Sequence, residues 1–441
     1  MNERSWVADG SLLSVFSRAD QPTFNFATQD MAGTYPGEFL PDQTPHILRP
    51  LGNFAPFMRG PLANSTSSYD ELKTATNRGE DFSFIVAPQT TVVTPSRGLW
   101  LDGCTNLPGR AQLFLADNYV GDEVFFHVLF DAVLYNGMLV QSSGGEAVYE
   151  TCYQTELRSR YLKYAAFEND SGVFLPRFDD VKNKSGAWFL LNNMLGNFGH
   201  FHIQSLSTIG MLDQCRTLFG SDLAGIISTS RPGHPPEDHE EPFRMSAYER
   251  FGVDKSLIWN PLLEEGVAFK FDVLIVPSTH RIDERLAFHP YQTNVIRSHL
   301  VHDKPITPGK RILLSRADMG NKRSVANFDD LEAALRPLGF ETLVIGSMPY
   351  SEQLVTLSDA EAVVGAHGGN LTNIMSHPGK LKILELFHTS QINGWFKHVA
   401  ALCNADYYAY CVDPIEPNWY SSFVVDPALV AKCASTMLRQ G

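Results

Sequence analysis

Short apolar runs alternate with amphipathic windows over the last third of the chain. The runs are RILLS, ETLVIG, EAVVGA, KILELF and DYYAYC, which begin at positions 311, 341, 361, 382 and 406. Most of them are separated by windows in which apolar residues recur three and four positions apart. This alternation is typical of a doubly wound sheet of parallel strands covered by helices. The pattern therefore predicts an α/β domain over residues 305–441.

Two of the windows predict their helices in detail. NFDDLEAAL places Asn327 at the N-cap and puts Leu331 and Leu335 on one apolar face. PYSEQLVTLSDA predicts a second helix, with Pro349 near its first turn and Leu354 on its apolar stripe. Both windows have the length of an ordinary helix between two strands.

The pattern is less regular before the linker VHDKPITPGK. β-rich runs such as EVFFHVLFDAVLY alternate with glycine turns and predict a small sheet. The segment WFLLNNMLGNFGHFHIQSLSTIGML changes from an apolar run to helical spacing, so we expect a helix to begin near Asn197 or Gly199. The predicted organisation is a loop-rich and β-rich region, a Rossmann-like domain and the α/β domain, at residues 1–185, 186–304 and 305–441.

Two glycines follow a predicted parallel strand in the segment VVGAHGGNLTN. Sheets of this type bind ligands at the carboxyl ends of their strands. Gly368 and Gly369 let the backbone approach a ligand without a Cβ, and the helix predicted to begin at Asn370 offers unpaired N–H groups. The loop therefore predicts an anion site, most simply for phosphate. The alternative is that both glycines only form a tight turn.

Other nucleotide motifs are not matched. The loop does not fit G-x-G-x-x-G, and it follows about the third strand of its domain, so a dinucleotide site is not indicated. The chain contains no G-x-x-x-x-G-K-[ST] sequence. His234 and His239 lie in the charged, proline-rich segment RPGHPPEDHEEP, which reads as a surface loop, and we predict no metal there.

Composition limits the classes of function. The chain has 441 residues, 44% of them hydrophobic, and a formal net charge of −14, which argues against broad binding to nucleic acid or to anionic membranes. Its six cysteines are scattered, as free thiols in a reducing cytosol would be. No basic leader and no run of about 18 apolar residues occurs. We therefore expect a cytoplasmic protein, and any membrane association would be peripheral.

The segment from RILLS to KILELF resembles the C-terminal half of the family 61 glycosyltransferases, which include bacterial capsular-polysaccharide-type proteins. The resemblance rests on SR after the first strand, an arginine and an asparagine before the helix, EQ in the next helix, and G-x-H-G followed by LTN and ELF. NFGHFHIQSL is similar, more weakly, to a second motif of the family. Phe201 stands where tryptophan is usual and Gln204 where glutamate is common, which leaves the catalytic base open.

The resemblance implies a GT-B-like fold, two Rossmann-type domains facing a cleft, here with an N-terminal β-rich appendage. Members transfer a sugar from a nucleotide-sugar donor to a hydroxyl of a glycan or other acceptor, with inversion at the anomeric carbon. This implies a role in polysaccharide, capsule or cell-surface glycan biosynthesis, without a cofactor. Because the C-terminal domain has no D-x-D sequence, we also expect transfer to be independent of metal.

Candidate residues follow from the motifs and from the demands of this reaction. A departing diphosphate should be met by fixed N–H dipoles and by arginine. The nucleotide-sugar-binding candidates are Arg316, Arg323, His367, Gly368, Gly369, Asn370, Thr372 and Glu385. Glu385 is expected to accept from ribose hydroxyls, and His367 to donate to the diphosphate or the sugar. The catalytic candidates are His200 and His202, since histidine suits a general base.

Two other functions remain compatible with the sequence. The first is a nucleotide-sugar-binding protein without turnover, which the loss of a carboxylate at Gln204 would permit. The second is a GT-B-fold nucleotide-sugar epimerase. Donor hydrolysis would separate an enzyme from an inert binding protein, and recovery of an epimeric nucleotide sugar would identify the second alternative.

Overall fold

The structure is a computed structural model. It describes residues 51–94, 96–104, 116–135, 139–152, 166–168, 171–176, 178, 180–191, 198–228, 242–261, 267–279, 288–301, 307–319 and 322–440. The loop that contains His234 and His239 lies outside these residues, as does the start of the loop-rich region.

The strands are numbered in chain order. In the first half of the chain they are β1 (Leu51–Met58), β2 (Ser65–Thr66), β3 (Phe82–Ala87), β4 (Thr90–Val93), β5 (Gly98–Asp102), β6 (Asn118–Gly121), β7 (Val124–Phe130), β8 (Val133–Tyr135), β9 (Leu139–Gln141), β10 (Ala147–Val148), β11 (Ala166–Glu168), β12 (Gly172–Pro176) and β13 (Val181–Leu191). The remainder are β14 (Leu223–Ser228), β15 (Ile258–Trp259), β16 (Ala268–Pro277), β17 (Arg311–Leu314), β18 (Phe340–Leu343), β19 (Ala362–Ala366), β20 (Lys382–His388) and β21 (Asp406–Val412).

The helices are numbered in the same way. The α-helices are α1 (Tyr69–Arg78), α2 (Tyr149–Cys152), α3 (Phe198–His200), α4 (Ile209–Phe219), α5 (Pro242–Arg250), α6 (Pro290–Leu300), α7 (Phe328–Leu335), α8 (Tyr350–Ser358), α9 (Trp395–Leu402) and α10 (Pro427–Arg439). A π-helix spans Phe201–Ser205. The 3₁₀-helices are Leu206–Thr208, Gly220–Asp222, Lys255–Leu257, Ala317–Met319, Arg336–Leu338, Ile345–Ser347, Gly369–Ser376 and Thr389–Gln391.

The five apolar runs of the C-terminal region form one parallel sheet, which confirms the predicted α/β class. The strand order is β18-β17-β19-β20-β21, and β5 adds a further parallel strand beside β21. Counted along the chain, the five strands lie in the order 2-1-3-4-5. In such sheets the strand order reverses between the first and third strands, and ligands bind at the carboxyl ends there. The reversal lies between β17 and β19.

Side chains from one face of this sheet form its core with α7 and α10. Val364 and Leu384 of the sheet belong to the same buried cluster as Leu331 of α7 and Val430 of α10. Full burial of an aliphatic side chain contributes about 1.5–3 kcal/mol relative to exposure. The stripe predicted for α7 therefore attaches the helix to the sheet and fixes the positions of the strand ends.

The two helices predicted in detail are present. α7 begins after Asn327 as expected, but the Asn327 side chain does not cap it. Its amide instead donates to the carbonyl of Val425 at 2.9 Å, and its carbonyl oxygen accepts from the N–H of Val425 at 3.1 Å. α8 begins directly after Pro349, and Leu354 on its stripe is fully buried. Asn327 thus connects the start of α7 to the segment around Val425 and does not cap its own helix.

A second, larger sheet is built from the preceding part of the chain. β13 pairs in parallel with β14 and β16, and β14 pairs in parallel with β15, which gives the order β16-β13-β14-β15. The other edge of β16 pairs antiparallel with β7 and β8. The β-rich region that was predicted as a separate appendage therefore continues this sheet. β4 and β6 pair with each other in a small two-stranded sheet.

The chain divides into two compact units that differ from the three predicted ranges. Of the described residues, those within 51–90 and 120–299 form the N-terminal unit, and those within 91–119 and 300–440 form the C-terminal unit. β5 belongs to the C-terminal sheet although it precedes the N-terminal unit's main strands. A strand pairing between residues about 300 positions apart leaves no local pattern, so the predicted boundaries did not include it.

The structure also describes the helices and the cysteines on which the expectations about membranes and disulfides depend. Among the described residues, no helix combines the length and the apolar character needed to cross a membrane. Five cysteines have described side chains, and none of them forms a disulfide bond in the described part of the chain: Cys104, Cys215, Cys403, Cys411 and Cys433.

Candidate functional site

Two neighbouring strand ends bring Arg316 and His367 together. β17 and β19 pair with Leu314 opposite Gly365, so both strands end at the same edge of the sheet. Arg316 lies two residues beyond β17 and His367 one residue beyond β19. The Arg316 Nη1 donates to the backbone carbonyl of His367 at 3.2 Å, and its Nε donates to the carbonyl of Lys322 at 3.4 Å. Both residues predicted for the site therefore meet where the strand order reverses.

The charge of Arg316 is buried without a matching carboxylate. The residue is 6% exposed. Burial, and secondarily the positive charge of Arg323, lower the pKa of Arg316 to about 10, while Asp318 opposes the shift. Among the described residues, no carboxylate lies within ion-pair distance of this guanidinium. Because a buried unpaired charge is costly, a bound anion would stabilise this arrangement.

Gly368 is required by the position of Arg316. A Cβ at Gly368 would lie 1.5 Å from Nη1 and 2.7 Å from Cζ of Arg316. The backbone of Gly368 is extended, with φ 166° and ψ 170°, a conformation that any residue adopts. Gly369 is also outside the left-handed region. The glycine at 368 therefore allows a close approach and does not relieve backbone strain.

The segment after the glycines is a helix, as predicted, but of the 3₁₀ type. It spans Gly369–Ser376, and the N–H of Leu371 donates to the carbonyl of Gly368 at 3.0 Å. Within the described chain, the N–H groups of Gly369 and Asn370 donate to no acceptor. The start of a helix exposes such groups together with the positive end of its dipole. The two residues with free donors directly follow Gly368, whose backbone the Arg316 guanidinium approaches closely.

Two buried side-chain atoms in the same turn also lack a hydrogen-bond partner among the residues that the structure describes. These are the amide nitrogen of Asn370 and the hydroxyl of Thr372, and Thr372 is 1% exposed. Buried polar groups of native proteins are nearly always hydrogen-bonded, so orphaned atoms in this position call for an explanation. A ligand that accepts hydrogen bonds at the strand edge would explain the unpaired Asn370 amide, because it would provide the missing acceptor.

Arg323 contributes a second positive charge to the site. Its positive charge lowers the pKa of His367 and of His388 as well as that of Arg316. Its backbone has φ 56°, which is unusual for a residue with a side chain, and its N–H donates to the carbonyl of Tyr420 at 3.0 Å. The structure therefore brings both predicted arginines to one site.

A buried chain of hydrogen bonds extends from His367 into the sheet. His367 Nδ1 lies 2.5 Å from Oε1 of Glu385, and the hydroxyl of Tyr407 donates to Oε2 of the same carboxylate. Glu385 is 2% exposed. Both of its oxygens are engaged inside the protein, which favours a role in orienting His367. The contact to ribose hydroxyls expected from the sequence stays a prediction.

His367 is held in its neutral form. Burial is the largest effect on its pKa and lowers it; the Glu385 carboxylate opposes the shift, and Arg323 and Arg316 reinforce it. The Asn393 amide nitrogen lies 3.5 Å from His367 Nε2. The ring also packs edge-on against Phe396, with centroids 5.2 Å apart. The imidazole is therefore fixed in position by polar and aromatic neighbours.

The upstream motif contains the catalytic candidate His200 on an irregular helix. α3 ends at His200 and continues as the π-helix Phe201–Ser205, in which the N–H of Leu206 reaches the carbonyl of Phe201. π-helical turns are frequent at functional sites. His200 Nδ1 lies 2.9 Å from Oε1 of the fully buried Gln204. The amide oxygen of Gln204 thus supplies the acceptor that a glutamate would supply, without its charge.

His202 has a different environment. It is 1% exposed, its Nδ1 donates to the carbonyl of Phe198 at 2.7 Å, and its ring packs on Phe198 with centroids 4.3 Å apart. Burial lowers the pKa of His202 to about 4. Phe201, where tryptophan is usual, is 1% exposed and packs against Phe243 and Tyr248. Of the two histidines, His200 is the more accessible and His202 is part of the core.

Several residues that complete the site were missed by sequence reasoning. Tyr407 lies in the predicted strand DYYAYC, but nothing in that run shows which neighbouring strand its hydroxyl meets. Asn393, Phe396 and Tyr420 lie beyond the residues that carry the resemblance. For Tyr407 the only local signal was the apolar run itself. Such a run predicts that its tyrosines are buried, but it does not predict which residues they contact.

The described residues contain no group of three or more histidine, cysteine or acidic side chains arranged to hold a metal ion. The metal independence expected from the sequence stays a prediction.

The model of the family Glycosyltransferase 61 matches residues 198–384, from the start of α3 to the middle of β20. This match confirms the resemblance read from the two motifs and supports glycosyltransferase activity. It covers His200 and Gln204 as well as Arg316, Arg323 and the glycine loop. No curated protein gives a significant match to the chain.

Proposed function

We propose that the chain is an inverting glycosyltransferase that binds a nucleotide-sugar donor at the carboxyl edge of the C-terminal sheet. The observation that carries this proposal is the buried, positively charged Arg316 beside Gly368. The N–H groups of Gly369 and Asn370, which donate to no acceptor in the described chain, follow directly after Gly368. Together they form an anion site at the reversal of strand order, where parallel sheets bind nucleotides.

The reaction places clear demands on this anion site. The bond between the anomeric carbon and the β-phosphate oxygen breaks, and the acceptor oxygen bonds to the same carbon from the opposite side. The acceptor proton passes to a general base, and the nucleoside diphosphate leaves with an additional negative charge on its oxygen. Preorganised N–H groups and the guanidiniums of Arg316 and Arg323 stabilise that charge as it develops.

We assign the general base to His200. Donation of its Nδ1 hydrogen to Gln204 leaves the other ring nitrogen, Nε2, as the basic position, which is the tautomer needed to accept a hydroxyl proton. His202 has its Nδ1 hydrogen committed to a backbone carbonyl and is buried. We therefore treat His202 as a residue that shapes the helix.

The proposal also covers the arrangement of the two units, the metal requirement and the acceptor. The two units would form a GT-B-like pair, with the donor on the C-terminal unit and the acceptor on the N-terminal unit. Transfer would proceed without a divalent ion, because arginines and backbone dipoles meet the diphosphate. The acceptor would be a hydroxyl of a glycan, in cytoplasmic synthesis of a polysaccharide or cell-surface glycan.

A nucleotide-sugar-binding protein without turnover is the second candidate. The observation that favours it is Gln204, which cannot remove a proton. The retained bond between His200 and Gln204 weighs against it, because the histidine stays oriented. A nucleotide-sugar epimerase would share the donor site and differ only in its product.

A donor screen tests the proposal. Thermal melting is measured with nucleoside diphosphates and their sugar conjugates, where a ligand at 100 times its Kd stabilises the fold by about 2.7 kcal/mol. The tightest conjugate is then incubated with the protein, and the products are separated. Slow release of free sugar supports an enzyme, an unchanged conjugate supports the binding protein, and an epimeric conjugate supports the epimerase. No stabilisation by any nucleotide contradicts the proposal.

A further inference from the structure

The hydrogen-bond chain at His367 has a defined direction. The Tyr407 hydroxyl donates to one oxygen of Glu385, and an ionised carboxylate can only accept. The other oxygen of Glu385 is paired with His367 Nδ1, so the ring proton lies on Nδ1. The remaining nitrogen, Nε2, is then an acceptor, and its one hydrogen-bonding neighbour in the described chain is the Asn393 amide nitrogen at the long distance of 3.5 Å.

The charges around His367 agree with this assignment. Arg316 and Arg323 oppose a positive charge on the ring. Burial lowers the pKa of His388 on β20 to about 4, so this neighbour adds no positive charge at neutral pH. Only Glu385 favours the protonated form, and burial outweighs it. The ring is therefore neutral, and it offers a lone pair beside a site built for an anion.

A lone pair at this position is unsuited to the phosphate itself, since both are acceptors. The sugar attached to the phosphate carries hydroxyl groups that donate. An inverting transfer also needs its base on the opposite side of the anomeric carbon from the leaving group. A histidine on the phosphate loop lies on the leaving-group side, so it fits a contact to the donor sugar and not the base.

We propose that His367 Nε2 accepts a hydrogen bond from a hydroxyl of the donor sugar, and that Glu385 and Tyr407 are positioning residues that hold His367 in this tautomer. The proposal rests on the proposed function. It assigns sugar recognition to a chain of three residues, of which Glu385 and Tyr407 lie beyond the segment that matches the family.

The variant His367→Asn separates sugar binding from phosphate binding. The asparagine amide can replace Nδ1 in the bond to Glu385 but has no atom at the position of Nε2. Calorimetry on the wild type first compares the diphosphates of uridine, guanosine, adenosine and cytidine with their glucose or mannose conjugates. The nucleotide whose diphosphate and sugar conjugate bind most tightly is then used with the variant. We expect the variant to bind the conjugate about tenfold more weakly, the effect of one hydrogen bond, and the diphosphate with unchanged affinity.

Tyr407→Phe should weaken binding of the conjugate in the same selective way, by a smaller factor. Tyr408→Phe is the matched control, because the Tyr408 hydroxyl bonds to Gln440 instead of Glu385. Nitrogen NMR of the wild type should place the ring proton of His367 on Nδ1. An equal loss for conjugate and diphosphate, or no loss, overturns the inference while the proposed function stands. Failure of the wild type to bind any pair overturns both.

Discussion

The guanidinium of Arg316 lies where the side chain of residue 368 would be, so only glycine is compatible with its position. A Cβ on Gly368 would stand 1.5 Å from Arg316 Nη1. The two residues follow the ends of different strands, β17 and β19, and they form the centre of the proposed anion site together. The glycine motif and the arginine motif are therefore one structural feature.

Gly368→Ala should displace the Arg316 side chain and weaken binding of a nucleoside diphosphate. The methyl group occupies space now taken by Nη1, and the extended backbone itself tolerates alanine. Gly144→Ala is a suitable control, since the nearest atom to its Cβ would be at an ordinary 3.6 Å. Calorimetry on both folded variants checks the prediction, and normal affinity in Gly368→Ala would show that the loop is only a turn.

Arg316→Ala should reduce the affinity for a nucleoside diphosphate by about 1.5–3 kcal/mol, the usual effect of losing a hydrogen bond to a charged group. Arg336→Ala serves as the control, because Arg336 is an exposed residue of the same unit, 3.7 Å from Glu332. The same calorimetric titration measures both variants. Equal affinities would mean that Arg316 does not contact the ligand.

Gln204→Glu should restore a carboxylate next to His200 and move the acidic limb of the pH–rate profile to higher pH. A negative charge favours the protonated imidazole, which cannot act as a base, so more alkaline conditions are needed to free it. The profile is measured by donor hydrolysis in the wild type and the variant. An unshifted profile would indicate that His200 is not the base.

His202→Asn should make stability less sensitive to acid. The pKa of His202 is about 4 in the folded chain against an ordinary value of 6.5, so between these values the unfolded chain binds the additional proton. Stability is therefore lost as the pH falls through this window, by up to about 1.4 kcal/mol per pH unit. Asparagine can keep the bond to the Phe198 carbonyl.

Urea unfolding at pH 7 and at pH 5 checks this last expectation. The wild type should lose up to about 2 kcal/mol more than His202→Asn between the two conditions. The other buried histidines contribute equally to both proteins and cancel in the comparison. Identical losses would show that folding does not lower the pKa of His202.

Donor hydrolysis or transfer should persist in EDTA. The proposed site meets the diphosphate with arginines and backbone N–H groups, which supply the charge stabilisation that a divalent ion would supply. Activity is compared before and after chelation, and again after adding magnesium or manganese. Loss in EDTA with recovery on adding either ion would count against the proposed donor site.

The sequence by itself determined the C-terminal sheet and the position of its ligand edge. Five apolar runs and the helices between them are local patterns, because each strand and helix buries a face that its own residues define. The apolar face with Leu331 and Leu335 could be read directly and is present. The glycine loop was placed at a strand end by the same means.

Only the tertiary structure decided which strands are neighbours, and therefore which side chains meet. Glu385 was expected to contact a ribose, but the adjacent strand brings Tyr407 to one of its oxygens and the preceding loop brings His367 to the other. β5 joins the C-terminal sheet across about 300 residues of sequence. Pairing of distant segments depends on the packing of the whole chain, and no window of local sequence contains it.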